Sequence, residues 1–131
     1  MTKVVINDEK GLVQERGTGT RIDSKIVASG DAKFEGAFYS ASETITVLGT
    51  AVQLDSRPVQ LVDSGNNAHK AKMPLAAGAG QLMIIVNVDS GQDAVIRNNA
   101  DDGTLATLGE GKIGIFVSSA SGDNWSGSQV D

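Results

Sequence analysis

Two glycines in the stretch "PLAAGAGQLMIIVNVDSG", residues 74–91, have the G-x-G spacing of a phosphate-binding loop. In a dinucleotide-binding fingerprint the glycines follow a strand and begin a helix, because the N-terminal amides of the helix hold the pyrophosphate. Here Gly78 and Gly80 precede a β-branched run, residues 84–86, which favours extended backbone. Met83 stands where the third glycine of the fingerprint would be. The order predicts a turn that leads into a strand.

The single histidine, His69, lies between polar and basic residues in "NNAHKAKM". A metal site needs further ligands, but the chain has no second histidine and no cysteine. One histidine among many serines also gives no basis for a Ser-His-Asp triad. We therefore interpret His69 as a surface residue and expect neither an enzyme nor a cofactor.

Two polar stretches carry the oxygen ligands that calcium prefers. Neither has the twelve-residue register of an EF-hand loop, and the same residue types are common in hairpin turns. The sequence favours turns, with calcium as the alternative, and we assign no metal site. The side chains concerned are Asn98, Asn99, Asp101 and Asp102 in "NNADDGT", and Asp89 and Asp93 in "DSGQD".

Short apolar runs, separated by Gly, Asn, Asp, Ser or Pro, recur at intervals of about 8 to 12 residues from Ser40 onwards. In the first run, Ile45 and Val47 alternate with threonines, as in a strand. No stretch holds helical spacing for three turns. This pattern predicts an all-β fold, a small antiparallel β-sandwich or barrel. The runs are "ETITVLG", "AVQLD", "PVQLVD", "QLMIIVNV", "DAVIRN", "TLATLG" and "KIGIFVSS".

Residues 1–40 differ from the rest of the chain in pattern and in charge. Glycines interrupt this segment, and its basic and acidic residues are equal in number. The excess of acidic residues in 41–131 accounts for the net charge of −5. We predict that 1–40 form an N-terminal arm or sheet extension and that 41–131 form the β-domain. The charged residues of the arm are Lys3, Lys10, Arg16, Arg21, Lys25 and Lys33, against Asp8, Glu9, Glu15, Asp23, Asp31 and Glu35.

Composition narrows the possible partners. The chain of 131 residues is 40% apolar but only 4% aromatic, so its core must be built from aliphatic side chains. Lys and Arg are not gathered into a stripe with aromatic residues between them, which argues against nucleic acid as a partner. No apolar run approaches the roughly 20 residues that span a bilayer, so we expect a soluble protein without membrane contact.

Residues 73–125 resemble small β-domains of tailed-phage virion proteins. The similarity lies in an apolar strand ending in Val-Asn, in "AVIR" and "TLATLGEGKIGIFV", and in a closing Gly-Asp-x-Trp. The start, "VVINDEKGLVQERGTG", is also similar to that of some head decoration, or capsid cement, proteins. The resemblance implies a homotrimer that binds the major capsid protein, stabilises the shell and performs no chemistry. Such a protein is made in the host cytoplasm and resides on the capsid exterior.

The resemblance leaves a head or tail fibre module with a receptor- or carbohydrate-binding role as the alternative. The chain shows neither heptads nor a long sequence repeat, which favours decoration. The charge distribution places the arm on the shell and the acidic β-domain in solvent. The predicted capsid contacts are Lys3, Arg16, Arg21 and Lys25, and the predicted trimer interface or core residues are Ile45, Val47, Ile113, Ile115 and Trp125. In this interpretation the Trp125 ring packs against other protein groups. The alternative is that the ring is exposed and that a sugar stacks on it.

Overall fold

The computed structural model describes residues 45–131, and within them the chain forms strands and turns with no α-helix. None of this described part is a helix able to span a membrane. The predicted arm, with Lys3, Arg16, Arg21 and Lys25, lies outside the described residues. The strands are β1 (Ile45–Val47), β2 (Val52–Gln53), β3 (Val59–Asp63), β4 (Lys70–Lys72), β5 (Leu82–Asn87), β6 (Ala94–Arg97), β7 (Thr104–Leu108), β8 (Ile113–Ser118) and β9 (Trp125–Val130).

The strands form two sheets. Sheet A has five strands in the order β1-β3-β5-β8-β9, and sheet B has four in the order β2-β4-β6-β7. The two sheets share one core, and the described strands do not close into a barrel. The all-β prediction is therefore confirmed, and the sandwich alternative fits better than the barrel.

The predicted antiparallel pairing is correct only for the last part of the chain. Strands β1, β3 and β5 pair in parallel, as do β2, β4 and β6, whereas β7, β8 and β9 join their neighbours antiparallel. The reason is that β1 to β6 alternate between the sheets, so the chain returns to each sheet running in the same direction. Both sheets are consequently mixed.

This alternation winds the chain into three stacked coils, β1 with β2, β3 with β4, and β5 with β6. The second and third coils match in register over the same sequence distance. The paired residues Val59 and Ile84 are 25 residues apart, and so are Lys70 and Val95. Strands β7, β8 and β9 then reverse direction and complete both sheets.

The core lies between the inner faces of the two sheets. Sheet A contributes Val62, Met83, Ile85 and Phe116, and sheet B contributes Ile96, each fully buried. Alternating residues of a strand point to opposite faces, so the residues between these face outwards. Every buried polar side-chain atom described has a hydrogen-bond partner. The described core contains Leu48, Leu54, Val62, Ala71, Met73, Ala76, Met83, Ile85, Ala94, Ile96, Leu108, Phe116 and Trp125.

Candidate functional site

The outward side of sheet A is lined by aliphatic side chains on all five strands, and we call it the apolar face. The pairing register places them in rows that cross the sheet; one row runs from Ile45 on β1 to Val130 on β9. Paired residues lie on the same side of a sheet, so each row is continuous. The apolar face comprises Ile45, Val47, Val59, Leu61, Leu82, Ile84, Val86, Ile113, Ile115, Val117 and Val130.

The sequences of β5 and β8 explain why this face is apolar. Strand β5 reads LMIIVN and β8 reads IGIFVS, so apolar residues occupy both faces of each strand. A continuous apolar run is typical of a strand that is covered on both sides. One side of β5 and β8 faces the core, while the other includes Ile115, which is 43% exposed. The two strands are neighbours in one sheet, and one face of each is buried in the core.

Charge is scarce on the apolar face. Among the outward positions of the sheet A strands, Asp63 is the single charged residue, and Ser126 and Ser128 are the other polar ones. The most exposed aliphatic residue of the described part is Val47, at 69%, on β1, the outermost described strand of sheet A. Contiguous apolar surface of this kind marks an interaction site.

A groove of about 510 Å³ lies in the apolar face near the opposite edge. Most of its lining is aliphatic, and the lining also includes one basic and one acidic residue. The groove crosses β5, β8 and β9 and is lined by Ile84, Gly111, Lys112, Ile113, Ile115, Val130 and Asp131.

The outward side of sheet B has a different character. Gln53 and Arg97 lie on either side of Lys72, and Lys70 pairs with Val95 in the next row. Arg97 forms an ion pair with Asp101, with 2.9 Å between Nε and Oδ1. A charged and polar face of this kind is normal for a sheet that faces solvent. The outer side of sheet B is therefore suited to contact with water, whereas the outer side of sheet A is suited to contact with a protein partner.

The structure places four of the five predicted interface or core residues on the apolar face. Ile45, Val47, Ile113 and Ile115 all point outwards, and each is at least 42% exposed. Trp125 instead belongs to the core, where it is 5% exposed. Its Nε1–H donates a hydrogen bond to the Pro74 carbonyl at 2.7 Å. Trp125 is thus packed within the described core.

Sequence reasoning missed the remaining members of the apolar face. Leu82 and Val117 are directly paired across β5 and β8, and Val130 pairs with Ile113. The detectable sign was strand alternation: Val117 follows Ile113 and Ile115 at the same two-residue spacing. The sequence could not identify Leu61 and Val86 as members of this face, because only the parallel register aligns them with Ile45.

The glycines at 78 and 80 form a turn before β5, as predicted. Gly80 has a φ of 79°, which L side chains rarely adopt. Its N–H donates to the Ser118 carbonyl at 2.8 Å, and the Ser118 hydroxyl donates to the Gly78 carbonyl at 2.5 Å. The turn therefore fastens the start of β5 to the end of β8.

His69 lies partly buried in the turn between β3 and β4. Its Nδ1 is 2.6 Å from the Ser64 carbonyl, and the backbone N–H of His69 donates to the Asn66 carbonyl. The ring is thus held against its own turn. Within residues 45–131 there is no group of three or more His, Cys, Asp or Glu side chains arranged to hold a metal ion.

The two candidate calcium stretches serve as turns. Asp89 accepts hydrogen bonds from the backbone N–H groups of Gly65 and Gly91, at 2.6 and 2.8 Å, and these hydrogen bonds lower its pKa. In the second stretch, Asn98 accepts from the N–H groups of Asp102 and Gly103. The turn interpretation of these residues accounts for the hydrogen bonds observed.

Another carboxylate organises the turn between β2 and β3. Asp55 accepts hydrogen bonds from the Arg57 side chain at 2.7 Å, from the Arg57 backbone N–H at 3.0 Å and from Gln60 Nε2 at 2.6 Å. These three interactions hold the pKa of Asp55 well below its usual range. Gln60 is itself buried, so Asp55 joins an exposed turn to the edge of the core.

The apolar face is the described surface on which the predicted interface residues come together. Its aliphatic composition suits it to protein contact, and it lacks the convergent polar groups of a small-molecule site. Comparison with protein families, curated proteins and solved structures found no match to this chain.

Proposed function

We propose that this chain is a structural virion protein that binds the exterior of a phage capsid as a homotrimer and stabilises the shell. The observation that carries the proposal is the apolar face, because contiguous aliphatic surface of this kind marks a site of protein contact. The resemblance of residues 73–125 to virion β-domains supports the choice of a phage capsid as the setting.

The size of the apolar face is consistent with self-association. Five strands about 4.8 Å apart, with about five residues each on average at about 3.3 Å per residue, give a face of about 400 Å². Two such faces in contact remove roughly 800 Å² from water, less than a specific interface needs, and three remove roughly 1,200 Å². Three copies around an axis thus reach the lower end of the range of stable complexes.

The proposed mechanism is adhesion by several weak contacts at once. Each copy carries one N-terminal arm, with Lys3, Arg16, Arg21 and Lys25 as the shell contacts, and a trimer presents three arms together. Binding of one arm raises the effective concentration of the others at the shell. A ligand that binds the assembled shell and not its dissociated subunits stabilises the assembly by mass action. The acidic β-domain then lies on the solvent side.

The experiment combines light scattering with sedimentation on purified capsid shells. Wild-type protein should have about three times the chain mass of 13.5 kDa at micromolar concentration and should sediment with shells. Ile115→Glu places a charge in the centre of the apolar face, so it should give a folded monomer that binds shells more weakly. Thr107→Glu, on the outer side of sheet B, is the matched control and should behave as wild type.

Two outcomes would contradict the proposal. A wild-type protein that is monomeric at micromolar concentration would remove the trimer, and a trimer that fails to bind any shell would remove the decoration role. Circular dichroism of Ile115→Glu separates loss of association from loss of folding, since a folded variant retains its β spectrum.

The stacked coils favour a second candidate, a head or tail fibre module with a receptor- or carbohydrate-binding role. Coils that repeat in register extend a protein along one direction, as a fibre requires. A fibre module would bind host-cell surfaces or their glycans in preference to capsid shells. Parallel binding assays on host cells and on shells therefore decide between the two candidates.

A further inference from the structure

The turn between β6 and β7 contains the one Asp–Gly pair of the sequence, Asp102–Gly103, and the sequence has no Asn–Gly pair. The Asp102 side chain is exposed, so water reaches its carboxyl group. Glycine has no Cβ, so the backbone nitrogen that follows Asp102 can approach the carboxyl carbon closely. An aspartate followed by glycine in an exposed turn is therefore open to attack by its own backbone.

One side chain, that of Asn98, holds both of the reacting groups. Its Oδ1 accepts hydrogen bonds from the backbone N–H groups of Asp102 and Gly103, at 3.1 and 3.0 Å. Its Nδ2 donates a hydrogen bond to the Asp102 carboxylate at 2.5 Å. The nitrogen and the carboxyl group are thus kept near each other, while the N–H of Gly103 points at the Asn98 oxygen and not at the carboxyl carbon.

The first half of this turn is held by groups outside it. The Asp123 carboxylate accepts hydrogen bonds from the backbone N–H groups of Asn99 and Ala100, at 2.8 and 3.1 Å. The Arg97 guanidinium donates to the carboxylate of Asp101 at 2.9 Å and to its carbonyl at 2.6 Å. These contacts join the first half to β6 and to the turn before β9.

The second half of the turn depends on Asn98. Each hydrogen bond described for Asp102 and Gly103 joins them to Asn98, including the one from the Asn98 backbone N–H to the Gly103 carbonyl at 3.0 Å. Opening of the second half therefore requires the loss of contacts to one residue, while the core stays intact. Such an opening frees the Gly103 nitrogen to turn towards the carboxyl carbon.

We propose that Asp102–Gly103 is a modification site, at which the backbone isomerises without an enzyme, and that Asn98 sets the rate. The Gly103 nitrogen attacks Cγ of Asp102 and a C–N bond forms. The hydroxyl of the protonated carboxyl group leaves as water, taking up the amide proton. Water then opens the resulting succinimide ring: attack at Cγ restores aspartate, and attack at the main-chain carbonyl carbon gives isoaspartate. One water is released and one is consumed, so the mass does not change.

Isoaspartate changes the path of the chain at this turn. The main chain then runs through Cβ and Cγ of the residue and is one carbon atom longer, and the former main-chain carboxyl becomes the side group. The hydrogen bonds from Asn98 no longer fit this geometry, and the first pair of the β6–β7 ladder, Arg97 with Thr104, lies beside it. The modification is independent of the apolar face and of the proposed trimer.

The experiment is a long incubation of full-length protein at physiological temperature and mildly acidic pH, followed by digestion and mass spectrometry. The isoaspartate peptide keeps its mass, changes its retention time and is labelled by an isoaspartate-specific methyltransferase. Wild type should be labelled at Asp102. Asn98→Ala should convert at least about fivefold faster, the factor that corresponds to the loss of one ordinary hydrogen bond. The matched control is Asn66→Ala, which removes an amide that holds a backbone N–H in the β3–β4 turn, and it should convert at the wild-type rate.

Gly103→Ala tests the nucleophile. An added Cβ would lie 3.5 Å from the Asn98 side chain, an ordinary contact, so the turn is kept. The variant should convert several times more slowly than wild type, because the methyl group hinders the approach of the nitrogen. Conversion at the wild-type rate would contradict attack by this nitrogen.

Three other outcomes would overturn the proposal. Absence of label at Asp102 in wild type after the full incubation would remove the site. Equal rates in wild type and Asn98→Ala would remove the control by Asn98. Label in Asn98→Ala that is spread equally over the Asp–Ser pairs at Asp55, Asp63 and Asp89 would indicate general unfolding and would overturn the local opening of this turn.

Discussion

Phe116, the largest fully buried side chain described, depends on two glycines. Its ring lies against Gly127, which is directly opposite on β9, and against Gly114 on its own strand. A Cβ at Gly127 would overlap both the Phe116 ring and the Ile115 carbonyl. The absence of a side chain at position 127 is therefore a packing requirement.

We expect Gly127→Ala to lower the free energy of unfolding by about 3 kcal/mol, since an added methyl group meets backbone as well as side chain. Urea unfolding followed by Trp125 fluorescence measures the change. Ser121→Ala, exposed in the turn before β9, is the control and should stay within about 0.5 kcal/mol of wild type. Equal stability of the two variants would contradict this account of Phe116.

Asp55 makes the fold sensitive to acid. Its pKa is lowered in the folded state, so its stabilising contribution is present above its unfolded pKa of about 3.9 and is lost as the pH falls through the lower folded pKa. Asp55→Asn should reduce the melting temperature at neutral pH. The variant should also lose less stability than wild type between about pH 6 and about pH 2. Thermal melts across this range measure both effects.

Glu110→Gln, an exposed carboxylate in the turn between β7 and β8, is the control for Asp55→Asn. It should reproduce the wild-type dependence on pH. Parallel curves for wild type and Asp55→Asn would show that the hydrogen bonds from Arg57 and Gln60 do not couple this carboxylate to folding.

At the scale of single residues, the predictions from sequence agree with the structure where residues close in sequence determine the conformation. The turn at Gly78 and Gly80 was predicted from the residues that follow it. The role of Gly127 was not, because its partner Phe116 reaches it only through the β8–β9 register. A residue's neighbour across a sheet cannot be read from its neighbours in sequence.

At the scale of elements, Asn87 holds the end of β5 to two other segments. Its buried side-chain amide donates to the carbonyls of Gln92, Leu108 and Gly109 at 2.8 to 3.1 Å. Its own oxygen accepts from the Asp89 N–H. One side chain thereby connects β5, the turn that follows it and the end of β7.

Asn87→Ala should lower the free energy of unfolding by about 2–3 kcal/mol, because three carbonyls lose their donor in a buried position. Amide hydrogen exchange should increase most at the turns joined by this side chain. Ser90→Ala, exposed in the same turn, is the control and should leave stability unchanged. A loss no greater than that of the control would contradict the role assigned to Asn87.

The strands were predictable and their pairing was not. Runs such as "QLMIIVNV" and "KIGIFVSS" coincide with β5 and β8, because branched apolar residues favour extended backbone. Their spacing fits a hairpin chain and a coil that alternates between two sheets equally well. The 25-residue register depends on the paths of the turns between the strands.

At the scale of the whole molecule, residues 45–131 alone supply an extensive core. Its members run from Leu48 to Trp125 and include side chains from both sheets. We therefore expect the fragment 41–131 to unfold cooperatively, with Trp125 emission shifting to longer wavelength as its buried ring becomes exposed. The same fragment should lose binding to capsid shells, because the proposed contacts lie in the arm.

A full-length variant with Lys3, Arg16, Arg21 and Lys25 all changed to Gln tests the arm without removing it. It should remain trimeric by light scattering and lose most of its shell binding, with a weaker dependence of the residual binding on salt. Full binding by the fragment 41–131 would contradict the assignment of the arm to the shell.

The strand order of sheet A also determines which strand waits longest for its neighbour during synthesis. Strand β5 pairs with β3 on one side, but its other partner, β8, is made later, together with β9. At about 5–20 residues per second, the segment from residue 88 to residue 130 takes roughly 2 to 9 seconds to synthesise. During that interval the nascent chain carries an unpaired, strongly apolar edge, the kind of surface that chaperones bind and that aggregates form on. Translation pauses after residue 87 should therefore reduce the yield of native protein more than pauses of equal length before residue 59.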